Sequence, residues 1–209
     1  KDNFNNEALY QLSMDIKHEV VAITYKDGIS SQANPFEAEI VASLIIEAYN
    51  KFYDKTKGNL EDYDDWFWSK GLGIVTPHKA QKVLISRLLY SVFSNVKDKI
   101  DKAIDTVEKF QGSQRKFIIV SFGVGDPDVI SEEEEFLLNL NRTNVAISRA
   151  EDKVIVVISE DLVHHLPDDK EIIKTSKAIK SYVHQYCNNI EKCEIKHEGQ
   201  SRIINIKYH

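Results

Sequence analysis

The sequence predicts an α/β fold: a mostly parallel sheet with helices on both faces, followed by a C-terminal helix and β-hairpin. Three observations carry this. Short strand-like runs alternate with longer segments of helical period along most of the chain. The runs are apolar throughout rather than apolar on every second residue, as strands covered on both faces are. The last forty-odd residues then change character, to an amphipathic stretch and a pair of runs separated by Glu198-Gly199-Gln200-Ser201.

The first strand is read at Val20–Thr24, turning at Lys26-Asp27-Gly28. Asn34-Pro35-Phe36-Glu37 then starts a helix: Asn34 caps, Pro35 suits the first helical position, and Glu37 stands where a capping box would close. Phe36, Ile40, Val41, Leu44, Ile45, Ala48, Tyr49 and Phe52 give that helix one buried face, and it is read to end near Lys55–Gly58. Residues 59–70 read as an exposed connection with an aromatic anchor at Trp66, Phe67 and Trp68. Gly73–Pro77 is a strand running into a turn. A helix follows over Lys79–Phe93, with Val83, Leu84, Leu88 and Val92 on its apolar side. Further strands are expected around Lys102–Val107, Phe117–Phe122 and Val154–Ile158, a polar loop at Gly125–Glu135, and a helix over Glu134–Arg149. A last helix is placed at Asp168–Cys187, and the hairpin strands around Glu194–His197 and Arg202–Ile206.

Composition sets bounds. The chain has 209 residues, enough to bury a substantial core, and its 42% hydrophobic and 29% charged residues are those of an ordinary soluble globular protein. A net charge of −6 argues against a generally basic nucleic-acid binder, but a few placed phosphate contacts suffice for a partial surface. No apolar run reaches the ~18 residues of a membrane span, and the polar start Lys1–Asn6 does not resemble a signal peptide. The absence of an initial Met suggests a piece of a longer protein. Two cysteines, Cys187 and Cys193, give no disulfide framework and suit a reducing cytoplasm (or a nucleus, in a eukaryote). With His184 and His197 they form His-x2-Cys-x5-Cys-x3-His, which matches no common zinc spacing, so they are read as free thiols.

In an open parallel sheet, ligands gather beyond the carboxyl ends of the strands. The segments assigned there are Thr76–Gln81, Thr106–Gly112, Ser121–Gly125 and the helix bearing Arg142 and Arg149. These two arginines stand two turns apart on one face. Gly112, after Phe110-Gln111, could let backbone N–H groups approach a phosphate closely, although taken alone a plain turn joining two strands is the favoured reading. Taken alone, paired helical arginines are more often a solvated or salt-bridged surface.

Taken together and in this order, the segments resemble the second RecA-like domain of superfamily 1 helicases, in the branch of the nonsense-mediated-decay and replication helicases. Asn34 with Glu37-Ala38 resembles the Asn-x-x-Glu-Ala helix start. Thr76-Pro77-His78-Lys79-Ala80-Gln81 resembles motif IV, Thr106–Gly112 motif V, and Arg142–Ala150 motif VI. The resemblance covers roughly residues 18–162. It implies a half-site for ATP and Mg2+, which an absent first RecA-like domain of the same polypeptide would mainly hold; this chain has no Gly-x-x-x-x-Gly-Lys-Ser/Thr stretch of its own.

By the same resemblance Arg149 is the arginine finger and Arg142 a second cation. Gly112, Gln111, Gln114 and a lysine, Lys79 or Lys82, face the nucleotide. Thr76, Thr106 and His78 lie along single-stranded DNA or RNA. The implied domains are a motor domain over 1–165 and a helix-and-hairpin extension, 166–209, packed on it. The chain departs from the pattern at His78 (usually Tyr), Gln114 (usually Glu), Lys116 (usually Asp) and Asn141 (usually Arg). Alone the domain is expected to be inactive. The alternative reading is a degenerate RecA-like module that binds partners or nucleic acid without catalysis.

Overall fold

A computed structural model describes residues 7–14, 17–53, 59–106, 114–138 and 147–209. Among these residues seven strands form one sheet: β1 (Val20–Tyr25), β2 (Leu72–Thr76), β3 (Ile104–Thr106), β4 (Arg115–Ser121), β5 (Ala150–Ser159), β6 (Asn189–His197) and β7 (Gln200–Tyr208). Their order across the sheet is β3-β2-β4-β5-β1-β7-β6. The first five in that order are parallel neighbours, whereas β7 pairs antiparallel with both β1 and β6. The hairpin therefore extends the main sheet, with Ile23 opposite Ile206. Its turn, Glu198-Gly199, has both residues at positive φ (49° and 77°), the geometry that matches the twist of paired strands.

Alternate residues of the parallel strands feed two cores. One face carries α1 (Glu7–Met14), α2 (Pro35–Phe52), α3 (Leu60–Trp66), α4 (Lys79–Tyr90) and α5 (Lys97–Ala103), packed on Ile23, Ile74, Ile119 and Ile155. The opposite face carries α6 (Pro127–Glu132), α7 (Glu134–Leu137), α8 (Glu160–His164) and α9 (Lys170–Ser181), packed on Ala22, Val75, Ile118 and Val156. This is the α/β layering that the apolar runs predict. Cys187 belongs to the second core and Cys193 to the first, so the four-residue Cys/His pattern does not converge on one point.

Several local expectations are corrected. Residues 59–70 are not an exposed connection. Asn59 caps α3 by accepting from Asp62 N–H, a π-helical turn over Phe67–Gly71 follows, and Phe67 and Trp68 are each only 1% exposed. On α4 the buried positions are Gln81, Ile85, Ser86 and Leu89, while Val83, and Val92 in the turn beyond the helix, are exposed. The stretch read as a strand from Lys102 is helical to Ala103, with only Ile104–Thr106 extended before the described residues stop. The Gly125–Glu135 loop contains two short helices, the first capped by Asp126. The helix read over Glu134–Arg149 is described only as Glu134–Leu137 at its start, and Ser148 and Arg149 form a turn into β5.

Candidate functional site

Two rows of side chains face opposite edges of the parallel sheet. At the carboxyl edge, β2 runs into Pro77-His78 and the first turn of α4, β3 ends at Thr106, and β4 ends at Ser121–Gly125. Lys79 is exposed and pairs with no described residue. His78 Nε2 lies 3.1 Å from Glu133 Oε2, misaligned for a hydrogen bond, and its ring stands against Phe136. Desolvation holds the His78 pKa below the ordinary imidazole value, and Glu133 partly offsets this. Lys82 is already engaged, with Nζ 3.4 Å from Asp105 Oδ1 and 3.3 Å from the Asp101 carbonyl. Thr106 is half-buried, and Thr76 is wholly buried. Motif IV therefore presents Lys79 to solvent, while the His78 ring is mostly covered with its Nε2 buried, and the Thr76 hydroxyl expected to meet phosphates is enclosed at the end of β2.

At the amino edge stand Gln114, Arg115 and Arg149. Arg149 does not lie with the carboxyl-end segments, where sequence reasoning placed it. The chain between parallel neighbours must return to the amino side before the next strand begins, and Arg149 immediately precedes β5. Its carbonyl accepts from Arg115 N–H at 2.9 Å, which joins the starts of β4 and β5. The Nε atoms of Arg115 and Arg149 are buried; that of Arg149 has no hydrogen-bond partner among the described residues. Burial also lowers the Arg115 pKa. Gln114 is exposed beside them. Arg142, Gln111 and Gly112 lie outside the described residues. The two edges are separated by the length of β4, about 20 Å for seven residues. Lys79 and Lys82, which the resemblance assigns to the nucleotide, consequently stand on the edge opposite Arg149.

Adjacent strands whose chains leave toward opposite faces open a crevice at the carboxyl edge. Two such crevices occur among the described residues. Between β1 and β5 lies a cavity of about 600 Å³ lined by residues including Lys26, Asp27, Ile130, Glu160, Asp161 and His164. Its carboxylates make it unsuited to phosphate.

The crevice between β2 and β4 is filled by the chain's own polar groups. Glu37 is fully buried, and its carboxylate accepts from Ser121 Oγ (2.5 Å), Gly123 N–H (2.9 Å) and the Tyr25 hydroxyl. Gln81, also fully buried, donates from Nε2 to Ser121 Oγ at 3.0 Å. Gly123 has φ +68°, and a Cβ there would sit 2.7 Å from Gln81, so only glycine fits. Burial pushes the Glu37 carboxyl up to about 7 against the hydrogen bonds from Ser121, Tyr25 and Gly123, which lower it. Sequence reasoning noted Glu37 and Gln81 as parts of motifs and gave neither a place in this network.

Residues 3–161 match the family described as an AAA domain. The chain belongs to the superfamily 1 helicases. The helicase domain is similar to the DNA replication ATP-dependent helicase/nuclease JHS1 of Arabidopsis thaliana, at 30% identity over 134 residues, 64% of this chain and 8% of that protein. It is similar to the DNA replication ATP-dependent helicase/nuclease DNA2 of Homo sapiens, at 31% over 112 residues, 49% of this chain and 10% of that one. To the probable helicase senataxin of Mus musculus the figures are 34% over 88 residues, 42% and 3%. This chain thus spans 10% or less of the length of each of these relatives. Among the described residues no helix of the helicase domain is long and apolar enough to cross a membrane.

Proposed function

We propose that this chain is the second motor domain of an ATP-dependent helicase or translocase, and that it completes an ATP site whose phosphate loop and Mg2+ ligands belong to a first RecA-like domain. The observation that carries this reading is Arg149. It is the last residue before β5, is fixed by its backbone bond to Arg115, and has a buried Nε with no described partner. A buried N–H without a described partner is poised for an anion supplied from outside the domain.

Phosphoryl transfer needs little beyond positioning and charge stabilisation, and a finger of this kind is worth ~10³–10⁵ in rate. In this reading Arg142 is a second cation, and the backbone at Gly112 approaches the γ-phosphate. Gln111 links motif V to that phosphate. Gln114, neutral but able to hydrogen-bond, meets the nucleotide sugar. ATP would lie at the amino edge, with Mg2+ as its cofactor bound mainly by the first motor domain. A single strand of DNA or RNA runs along the carboxyl edge past His78, Lys79 and Thr106, held through its phosphates and without sequence preference. Residues 1–165 form the motor and 166–209 an extension that continues its sheet. The relatives named as DNA replication helicases favour a nucleic-acid track.

The test is hydrolysis by the longer protein that joins this chain to the first motor domain. Arg149→Ala is expected to lower nucleic-acid-stimulated ATP turnover by about 10³-fold or more while ATP binding stays within a few-fold. Unchanged turnover removes Arg149 from the reaction.

A further inference from the structure

We propose that Gln81 is the positioning residue that sets where α4 presents Lys79, linking the nucleic-acid edge to β4 and hence to the amino edge. The inference rests on the helicase reading above and names a residue to which that reading gives no role.

A helix beginning Asn-x-x-Glu closes a capping box when the third-position carboxylate returns to the cap's own N–H. Only half of that box forms in α2. Asn34 Oδ1 accepts from Glu37 N–H at 3.0 Å, but Asn34 N–H donates to Gln81 Oε1 at 2.8 Å. Gln81 occupies the corresponding third position of α4, whose cap residue, His78, makes no side-chain capping bond. The third-position side chain of α4 therefore caps α2, and the Glu37 carboxylate is released to bind the end of β4 through Ser121 and Gly123. The amide's other end donates to Ser121 Oγ.

Three elements are thus tied through one buried amide. Lys82 also holds the first turn of α4, through Asp105 and the Asp101 carbonyl, but among the described residues Gln81 is the buried side chain of that turn, so the register of Lys79, two residues before it, depends on Gln81. β4 is the strut from Ser121 to Arg115, where the backbone bond to Arg149 begins the amino edge. A shift of α4 when Lys79 meets a phosphate is resisted at Ser121 and borne by a strand that ends beside Arg149.

The test uses the longer protein carrying both motor domains, with Gln81→Met, which keeps side-chain length and removes the hydrogen bonds, and Ser121→Ala as a second variant. A 20-nucleotide oligo-dT is the probe. The expected result is about a tenfold rise in the oligonucleotide concentration giving half-maximal ATPase stimulation, with the KM for ATP and the nucleic-acid-free rate within about twofold of wild type. A Lys79→Ala, Gln81→Met double variant should bind the oligonucleotide no more weakly than Lys79→Ala alone, because Gln81 acts through Lys79. Full additivity, or equal losses in stimulated and unstimulated rates, overturns the proposal. So does wild-type behaviour in both single variants. A wild-type protein whose ATPase does not respond to DNA or RNA overturns the helicase reading instead. If Gln81→Met does not fold, Ser121→Ala in the same cycle decides.

Discussion

Glu37 shows how one buried carboxyl can fix a fold and make it pH-sensitive. Its three donors suit the ionised form, yet burial outweighs them and holds its pKa near 7 instead of 4.5. A carboxyl whose folded pKa lies above its unfolded one stabilises the fold while protonated. That contribution is complete below about pH 4.5 and is lost as the pH rises through 7. Urea unfolding between pH 4.5 and 7.5 should therefore show a loss of up to about 3 kcal/mol from this group. Glu37→Gln forfeits acceptors and lowers stability overall, but its pH profile should be flatter by that amount; a profile parallel to wild type would remove Glu37 from the titration. Asn34 capping α2 was legible in the sequence. Its N–H partner was not, because Gln81 lies 47 residues away and reaches it only once α2 and α4 are packed.

At the scale of elements, the segment from Asn59 to Gly71 is the instructive case. Glu61, Asp62, Asp64 and Asp65 crowd it with charge, which reads as a loop when helical spacing is ignored. Folded, the acids line the outside of α3, while Tyr63 and Phe67, four apart, turn inward. Tyr49 brings the cluster together: its ring lies 5.0 Å from Tyr63, 5.1 Å from Phe67 and 4.7 Å from Phe93, and its hydroxyl donates to Asp64. Trp68 is sealed beneath, and its Nε1 has no partner among the described residues. Trp68→Ala is expected to cost about 3–5 kcal/mol by chemical denaturation. Trp68→Phe should cost clearly less, since it keeps a ring and removes an unpaired N–H. Equal losses for both would show that the indole nitrogen is satisfied after all.

For the whole molecule, the hairpin decides where the sheet ends. Without it β1 is an edge strand with its backbone groups unpaired along Val21–Tyr25, and Ile204 and Ile206 no longer cover that end of the first core. A chain cut after Asn188 is expected to unfold at lower denaturant concentration and to elute in larger species on size exclusion. An equally stable monomer would make the hairpin dispensable. The same sheet holds the proposed nucleotide and nucleic-acid groups on opposite edges, so any coupling between them must travel through strands and the helices tied to them.

Local sequence determined the periods, the Asn34 N-cap of α2 and the hairpin turn, and with them the α/β class, because those signals are written within a few residues of where they act. It also set the motif order on which the family resemblance rests. Tertiary structure alone decided which edge each motif occupies. Arg149 sits at the amino edge because a parallel crossover must bring the chain back before β5, and Thr76 is enclosed because neighbouring strands and helices close over the end of β2. The pairing of Asn34, Glu37, Gln81, Ser121 and Gly123 was likewise out of reach of sequence: its partners come from three separate elements, and their hydrogen bonds exist only where the packed sheet excludes water.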